Sequence, residues 1–236
     1  VGLCHGYGGV YHLADTIGLE RDKITYEIPG VNHFVWLTEF RYEGRDAFPL
    51  VDKWIEEKAE EYWRNCGDSD HLGPKAIDLY KRFGVFPIGD TCNPGGGAWP
   101  FWYHSDEDTQ KSWKEDPLKW YKRGFTNADA RQDEINVVAK DLSKKVSDIY
   151  PPKKSGEPMV PIIEAIACDI QRVVIVNMLN DGNYVPGVPM DFEVEIPALV
   201  SGRGIQGIKT NGLPTELISY IFRDRIAPVE MELLAY

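Results

Sequence analysis

The sequence contains no apolar run approaching the roughly 20 residues a bilayer-spanning helix needs, which argues against a membrane protein. Cationic side chains are few: 26 Lys and Arg stand against 37 Asp and Glu, for a net charge of −11. Binding to a phosphate backbone depends on dense Lys and Arg, so no nucleic-acid partner is expected. Cysteine is scarce, with four residues at positions 4, 66, 92 and 168 and no C-x-x-C pair. That pattern argues against zinc ribbons and against a disulfide framework in a chain of this length. Sparse, unpaired thiols suit a reducing, cytoplasmic setting. Internal repeats and low-complexity tracts are absent from the sequence. The stretches Gly6-Tyr7-Gly8-Gly9 and Gly95-Gly96-Gly97 lack both the G-x-G-x-x-G fingerprint and the Lys-Ser/Thr of a P-loop. The chain opens on Val1, without Met or a signal-peptide pattern, and is expected to be a segment of a longer protein.

What is present suffices for a large core. The 236 residues are read as a single domain over 1–236, and 43% hydrophobic with 27% charged content is ordinary for a globular chain. Val1 to Cys4 reads as a strand end that turns through Gly6, Gly8 and Gly9 into a helix. That helix carries Val10, Leu13, Ala14 and Ile17 on one face and stops at Gly18. Strands are expected over 24–28 and 31–42, then helices over 51–63 and 74–83 flanking a loop at 65–73. The segment from Gly89 to Tyr103 is irregular and crowded with aromatics, and reads as a lid or substrate wall. The pattern Ile135, Val138, Leu142, Val146, Ile149 predicts one amphipathic helix from Ala128 to Tyr150. A loop at 151–156, a helix at 161–169, strands at 173–178, 191–196 and 204–209, and closing helices over 214–236 complete the reading. Helices and strands mix without βαβ regularity, so the expected class is α+β, with mixed or antiparallel sheets layered on helices.

Three polar islands interrupt this apolar background: Cys4-His5-Gly6, Gly30-Val31-Asn32-His33-Phe34, and Phe86-Pro87-Ile88-Gly89-Asp90-Thr91. A thiolate and an imidazole, Cys4 and His33, can ligate a divalent first-row metal, and two protein ligands leave positions open for substrate. Taken by spacing alone, the favoured reading is instead a buried thiol and a hydrogen-bonded core or turn histidine. His5 can act as a proton donor, because imidazole titrates near ~6.5, or it can cap the helix. Asp90 reads as a base or as an Asx-turn residue ahead of the glycine-rich loop. Asn32 either meets a ligand hydroxyl or orients His33. His12, His71 and His104 are expected on surfaces or in hydrogen-bonded core positions.

Taken together, the islands resemble the non-phosphate branch (α-glucosidase, α-glucuronidase, α-galacturonidase) of the NAD- and manganese-dependent glycoside hydrolases of family 4. The resemblance covers nearly the whole chain. It implies the C-terminal catalytic and oligomerisation half, with a fold like the lactate/malate dehydrogenase C-terminal domain and a Rossmann half elsewhere. It further implies that Cys4 and His33 bind the metal, that His5 assists the leaving oxygen, and that Asp90 is the base. Asn32, Asn93, Trp102 and Arg131 become candidates for substrate contact. NAD and Mn²⁺, or another divalent metal, are the implied cofactors; manganese rests on the resemblance, since thiolates suit softer ions. The implied route is oxidation at C3 by NAD, loss of the C2 proton, departure of the aglycone, addition of water and return of the hydride, outside the usual two-carboxylate scheme. Non-phosphorylated α-glucuronides or α-glucosides are the implied substrates, and a homodimer or homotetramer the implied assembly. Two other classes are weighed beside it: a non-catalytic carbohydrate-binding or oligomerisation module, and half of a 2-hydroxy-acid dehydrogenase.

Overall fold

The computed structural model describes residues 2–3, 6–96, 99–153 and 157–236. Among these, the strands in chain order are β1 (Gly2–Leu3), β2 (Ile24–Glu27), β3 (Gly30–Val31), β4 (Phe34–Leu37), β5 (Glu39–Tyr42), β6 (Arg45–Asp46), β7 (Phe86–Ile88), β8 (Arg172–Leu179), β9 (Glu193–Ser201) and β10 (Gly204–Gly207). The larger sheet runs β1-β8-β9-β3-β4-β7 with β10 also on β9, and the smaller runs β2-β5-β6. Every pairing between these strands is antiparallel. The helices are α1 (Gly6–Ile17), α2 (Phe48–Asn65), α3 (Pro74–Phe83), α4 (Glu107–Trp113), α5 (Pro117–Lys140), α6 (Val146–Ile149), α7 (Met159–Cys168), α8 (Thr215–Ile221) and α9 (Ala227–Ala235). The α+β class read from the sequence is the class observed. No helix among the described residues is long and apolar enough to cross a membrane.

Strand β4 organises the interior. All four of its residues are buried, because each face meets a different core. Val35 and Leu37 join Val10, Leu13, Val51 and Ile55 beneath α1 and α2. Phe34 and Trp36 join Tyr103, Ile196, Tyr220 and Ile221 on the other side. A strand buried on both faces shows a continuous apolar run instead of alternation.

For that reason the single strand expected over 31–42 is in fact three. Val31 pairs with Phe34 across the two-residue loop Asn32-His33. At Thr38 the chain crosses to the smaller sheet, its hydroxyl donating to Glu27 Oε1 at 2.6 Å. The hairpin depends on Gly30, where an added Cβ would sit 2.2 Å from Phe34 O and 2.7 Å from the Val35 Cα. Gly30→Ala must therefore pry β3 from β4, and we expect it to lower stability by about 2 kcal/mol, seen as a reduced urea midpoint.

The helix expected over 128–150 is displaced. Asp116 accepts from Lys119 N at 2.9 Å and Pro117 follows, so the helix starts at 117. It stops at Lys140, because Asp141 accepts from Ser143 N at 3.1 Å and from Ser143 Oγ at 2.5 Å, closing an Asx turn. Leu142, which continued the apolar period, is 93% exposed. The side-chain turn outweighed the periodicity. Elsewhere the expected stops hold: α3 ends at Gly84, whose φ is 70° and whose N–H donates to Tyr80 O at 2.8 Å.

Candidate active site

The antiparallel register of β4 and β7 builds the site. Val35 lies opposite Ile88, and continuing that register by two residues brings His33 opposite Asp90. His33 Nδ1–H donates to Asp90 Oδ2 at 2.5 Å; the carboxylate can only accept, so the proton lies on Nδ1. Asp90 Oδ1 accepts from Asn93 Nδ2 at 2.7 Å, and Asn93 Oδ1 accepts from Gly95 N at 2.7 Å. Thr91 fastens this turn to β4, its hydroxyl donating to Val35 O and accepting from Val35 N, each at 2.8 Å. Tyr121 OH donates to Pro94 O at 2.7 Å, and Arg225 Nη2 to Gly96 O at 2.5 Å. Gly96 passes so close that a Cβ there would lie 2.3 Å from Asp90 O and 3.0 Å from His33 O. Gly96 thus packs tightly against the backbone of Asp90 and His33.

His33 has φ of 61°, in the left-handed region. A non-glycine residue there costs about 1–2 kcal/mol. Such positions persist only where surrounding structure enforces them, and they gather at functional sites.

The pair opens onto a cleft of about 780 Å³, whose polar lining comes from His12, Asn32, His33, His71, Asp90 and Glu195. That volume lies in the range of small-molecule sites. The side chains of His33 and Asp90 are 42% and 32% exposed, so both reach solvent through it. Glu195 is buried in the wall, on β9 opposite Gly30.

Of the residues singled out by sequence, Asn32, His33 and Asp90 converge here. Asn93 is 5% exposed and committed to holding Asp90. Trp102 packs against the rings of Trp99, Phe101 and Tyr103 and does not line the cleft. Arg131 lies exposed on α5, also away from it. Cys4 and His5 lie outside the described residues, although Gly6, which follows them, lines the cleft.

Of the segment expected to be a lid or substrate wall, Gly89 and Asp90 line the cleft, whereas Trp99 and Tyr103 pack with the core and Phe101 is exposed. The Trp99 ring lies 4.4 Å from that of Tyr220 and 5.3 Å from that of Phe34, centroid to centroid. His12, exposed as expected, and His71, hydrogen-bonded to Gly89 O as expected, both also line the cleft. Helical spacing could have revealed His12, one turn after Gly8 on the side of α1 away from Val10 and Leu13. Glu195 left no local signal, since only long-range strand register brings it there.

A metal needs donors with free lone pairs and an open approach. His33 offers Nε2, its other nitrogen being held by a carboxylate, which is how metal-binding imidazoles are commonly oriented. The described residues contain no group of three His, Cys, Asp or Glu side chains that could hold an ion. Among the described residues, His33 Nε2 is thus a donor that would fit a metal on this cleft.

A cleft of this size with convergent polar side chains is a candidate small-molecule site. Residues 28–236 match the family 4 glycosyl hydrolase C-terminal domain, and the chain belongs to that family. It is 24% identical over 239 residues to an α-galacturonidase of Thermoanaerobacterium saccharolyticum, covering 94% of this chain and 50% of the relative. The crystal structure of Bacillus subtilis lplD superposes with a TM-score of 0.67 at 26% identity, covering 92% of this chain and 50% of that one. A 6-phospho-α-glucosidase from gut microorganisms, solved in complex with NAD and Mn²⁺, shares the fold with a TM-score of 0.61 at 17% identity, over 94% of this chain and 49% of that one. The chain spans about half the length of the curated relatives it matches.

Proposed function

We propose that this cleft is the glycone site of a glycosidase that cleaves non-phosphorylated α-glycosides, α-galacturonides or α-glucuronides foremost, using NAD and a divalent metal in the natural full-length protein. The observation that carries the reading is the His33–Asp90 pair held open to the cleft. The α-galacturonidase relative supports the sugar class, and the NAD and Mn²⁺ of the 6-phospho-α-glucosidase support the cofactors. When bound, these two groups would supply reversible hydride acceptance and Lewis-acid polarisation.

The chain's own residues would do the rest. His33 Nε2 and Cys4 hold the metal. Asp90 takes a proton from the sugar carbon, its carboxylate fixed by Asn93. His5 gives a proton to the leaving oxygen, and Asn32 receives a sugar hydroxyl. Each acid–base role of this kind is worth roughly 10²–10⁴-fold in rate. A homodimer or homotetramer in the cytoplasm belongs to the same proposal.

The test is turnover of nitrophenyl α-galacturonide, α-glucuronide and α-glucoside by the full-length protein. Nitrophenol release that requires both NAD⁺ and Mn²⁺, that EDTA abolishes and that leaves no net NADH is expected. Turnover of none of the three would favour a binding module, and net NADH formation a dehydrogenase.

A further inference from the structure

We infer that His71 is a further ligand-contacting residue of this cleft, its Nε2 accepting a hydroxyl of the bound glycoside while its Nδ1–H fixes the turn that carries Asp90. The inference rests on the glycosidase reading above and adds a residue to it.

His71 sits on the loop between α2 and α3, and that loop is fastened on both sides of it. Trp63 Nε1 donates to Leu72 O at 2.9 Å and Leu72 N to Asp70 Oδ1 at 2.8 Å. Ser69 N donates to Lys114 O at 2.8 Å, while Lys114 Nζ reaches Cys66 O at 3.0 Å. Lys119 Nζ holds Asp68 Oδ2 at 2.5 Å. A polar connection of this length would ordinarily be mobile; here its backbone is pinned, so the imidazole it presents is placed in advance.

The ring's bonding then determines its chemistry. His71 Nδ1 lies 2.8 Å from Gly89 O. A carbonyl oxygen can only accept, so Nδ1 carries the proton and the neutral ring leaves Nε2 as an acceptor. Gly89 has φ of 60° and immediately precedes Asp90. One ring therefore ties down the carbonyl before Asp90 and lines the cavity in which Asp90 works. Sugars are dense in hydroxyl donors, which is what an unprotonated ring nitrogen receives.

Two substitutions in the full-length protein separate the two ends of the ring. Asparagine can reproduce the Nδ1–H donor but not Nε2, and glutamine the reverse. With nitrophenyl α-galacturonide, His71→Asn is expected to raise KM about tenfold with kcat within about threefold of wild type. His71→Gln is expected to lower kcat at least tenfold, because Gly89 loses its donor. A His71→Asn enzyme with wild-type KM, or two variants that lose kcat alike at unchanged KM, would overturn the inference. Imidazole ¹⁵N NMR of the wild-type protein gives a reading independent of whether the variants fold. The Nδ1–H tautomer is expected, with the Nε2 resonance shifting when galacturonic acid is added. Binding of the sugar without that shift overturns this inference alone. Absence of both sugar binding and turnover removes the glycosidase reading together with it.

Discussion

Asparagine at position 90 is expected to lower kcat of the full-length protein about 10³-fold, and to weaken its metal binding at the same time. The first effect is the loss of a proton acceptor, within the range for a general base. The second follows from the His33 contact. Asp90 Oδ2 accepts the Nδ1 proton at 2.5 Å, whereas Asn93 occupies Oδ1 with its own donor. An amide oriented to keep the Asn93 bond would point its NH₂ at a ring nitrogen that already bears hydrogen. The imidazole would have to change tautomer and place its proton on Nε2, the nitrogen proposed for the metal. Loss of such an orienting partner typically costs 10–100-fold in metal affinity. Because both side chains are partly exposed, the thermal midpoint should hardly move. A loss of kcat below tenfold would mean that Asp90 serves only to shape the turn.

Outside the lining of the cleft, breaking the buried ion pair of Lys75 and Glu115 is expected to cost about 3–5 kcal/mol. Lys75 Nζ lies 3.1 Å from Glu115 Oε2, and their side chains are only 2% and 1% exposed. The pair ties the first turn of α3 to the chain leaving α4. Burial pushes the Glu115 carboxyl up from its ordinary value, with Lys75 pulling it back only in part. Lys75→Met would leave that carboxylate uncompensated. At 2–4 °C per kcal/mol for a chain of this size, the melting temperature should fall by roughly 10 °C. Replacing both partners with Met and Leu should restore most of the loss, since a well-packed apolar pair is often as stable as a buried ion pair. The pH dependence has a definite sign. A carboxyl whose folded value is raised favours folding when protonated, so its contribution is present below the ordinary 4.5 and is lost as pH rises through the folded value. The deficit of Lys75→Met should therefore shrink on acidification toward that pH. A deficit below about 1 kcal/mol, or one that grows on acidification, would contradict this account.

Much of this molecule was legible in its sequence, for identifiable reasons. The stripes of α1 and α2 gave those helices, because each has one apolar face on a core. Gly84 gave the end of α3, since few other residues adopt its backbone. The division of residues 31–42 was hidden because Phe34 to Leu37 face two cores and show no alternation. The long helix was misplaced because Asp141 and Ser143 close a turn that hydrophobic period does not register. Within the site, Asn32, His33 and Asp90 were found through local motifs. His71 and Glu195 escaped, because only the folded loop and the β9 register bring them to the cleft. The strain at His33 was equally invisible, as nothing in Asn32-His33 announces a left-handed backbone.

The central claim is that His33 and Cys4 share one divalent ion in this cleft. Titration of metal-free, full-length protein with Mn²⁺, followed by electron paramagnetic resonance, tests it most directly. One ion per chain is predicted for the wild type, with affinity at least 100-fold weaker in both His33→Ala and Cys4→Ser while the fold is retained. Undiminished stoichiometry and affinity in either variant would contradict the claim.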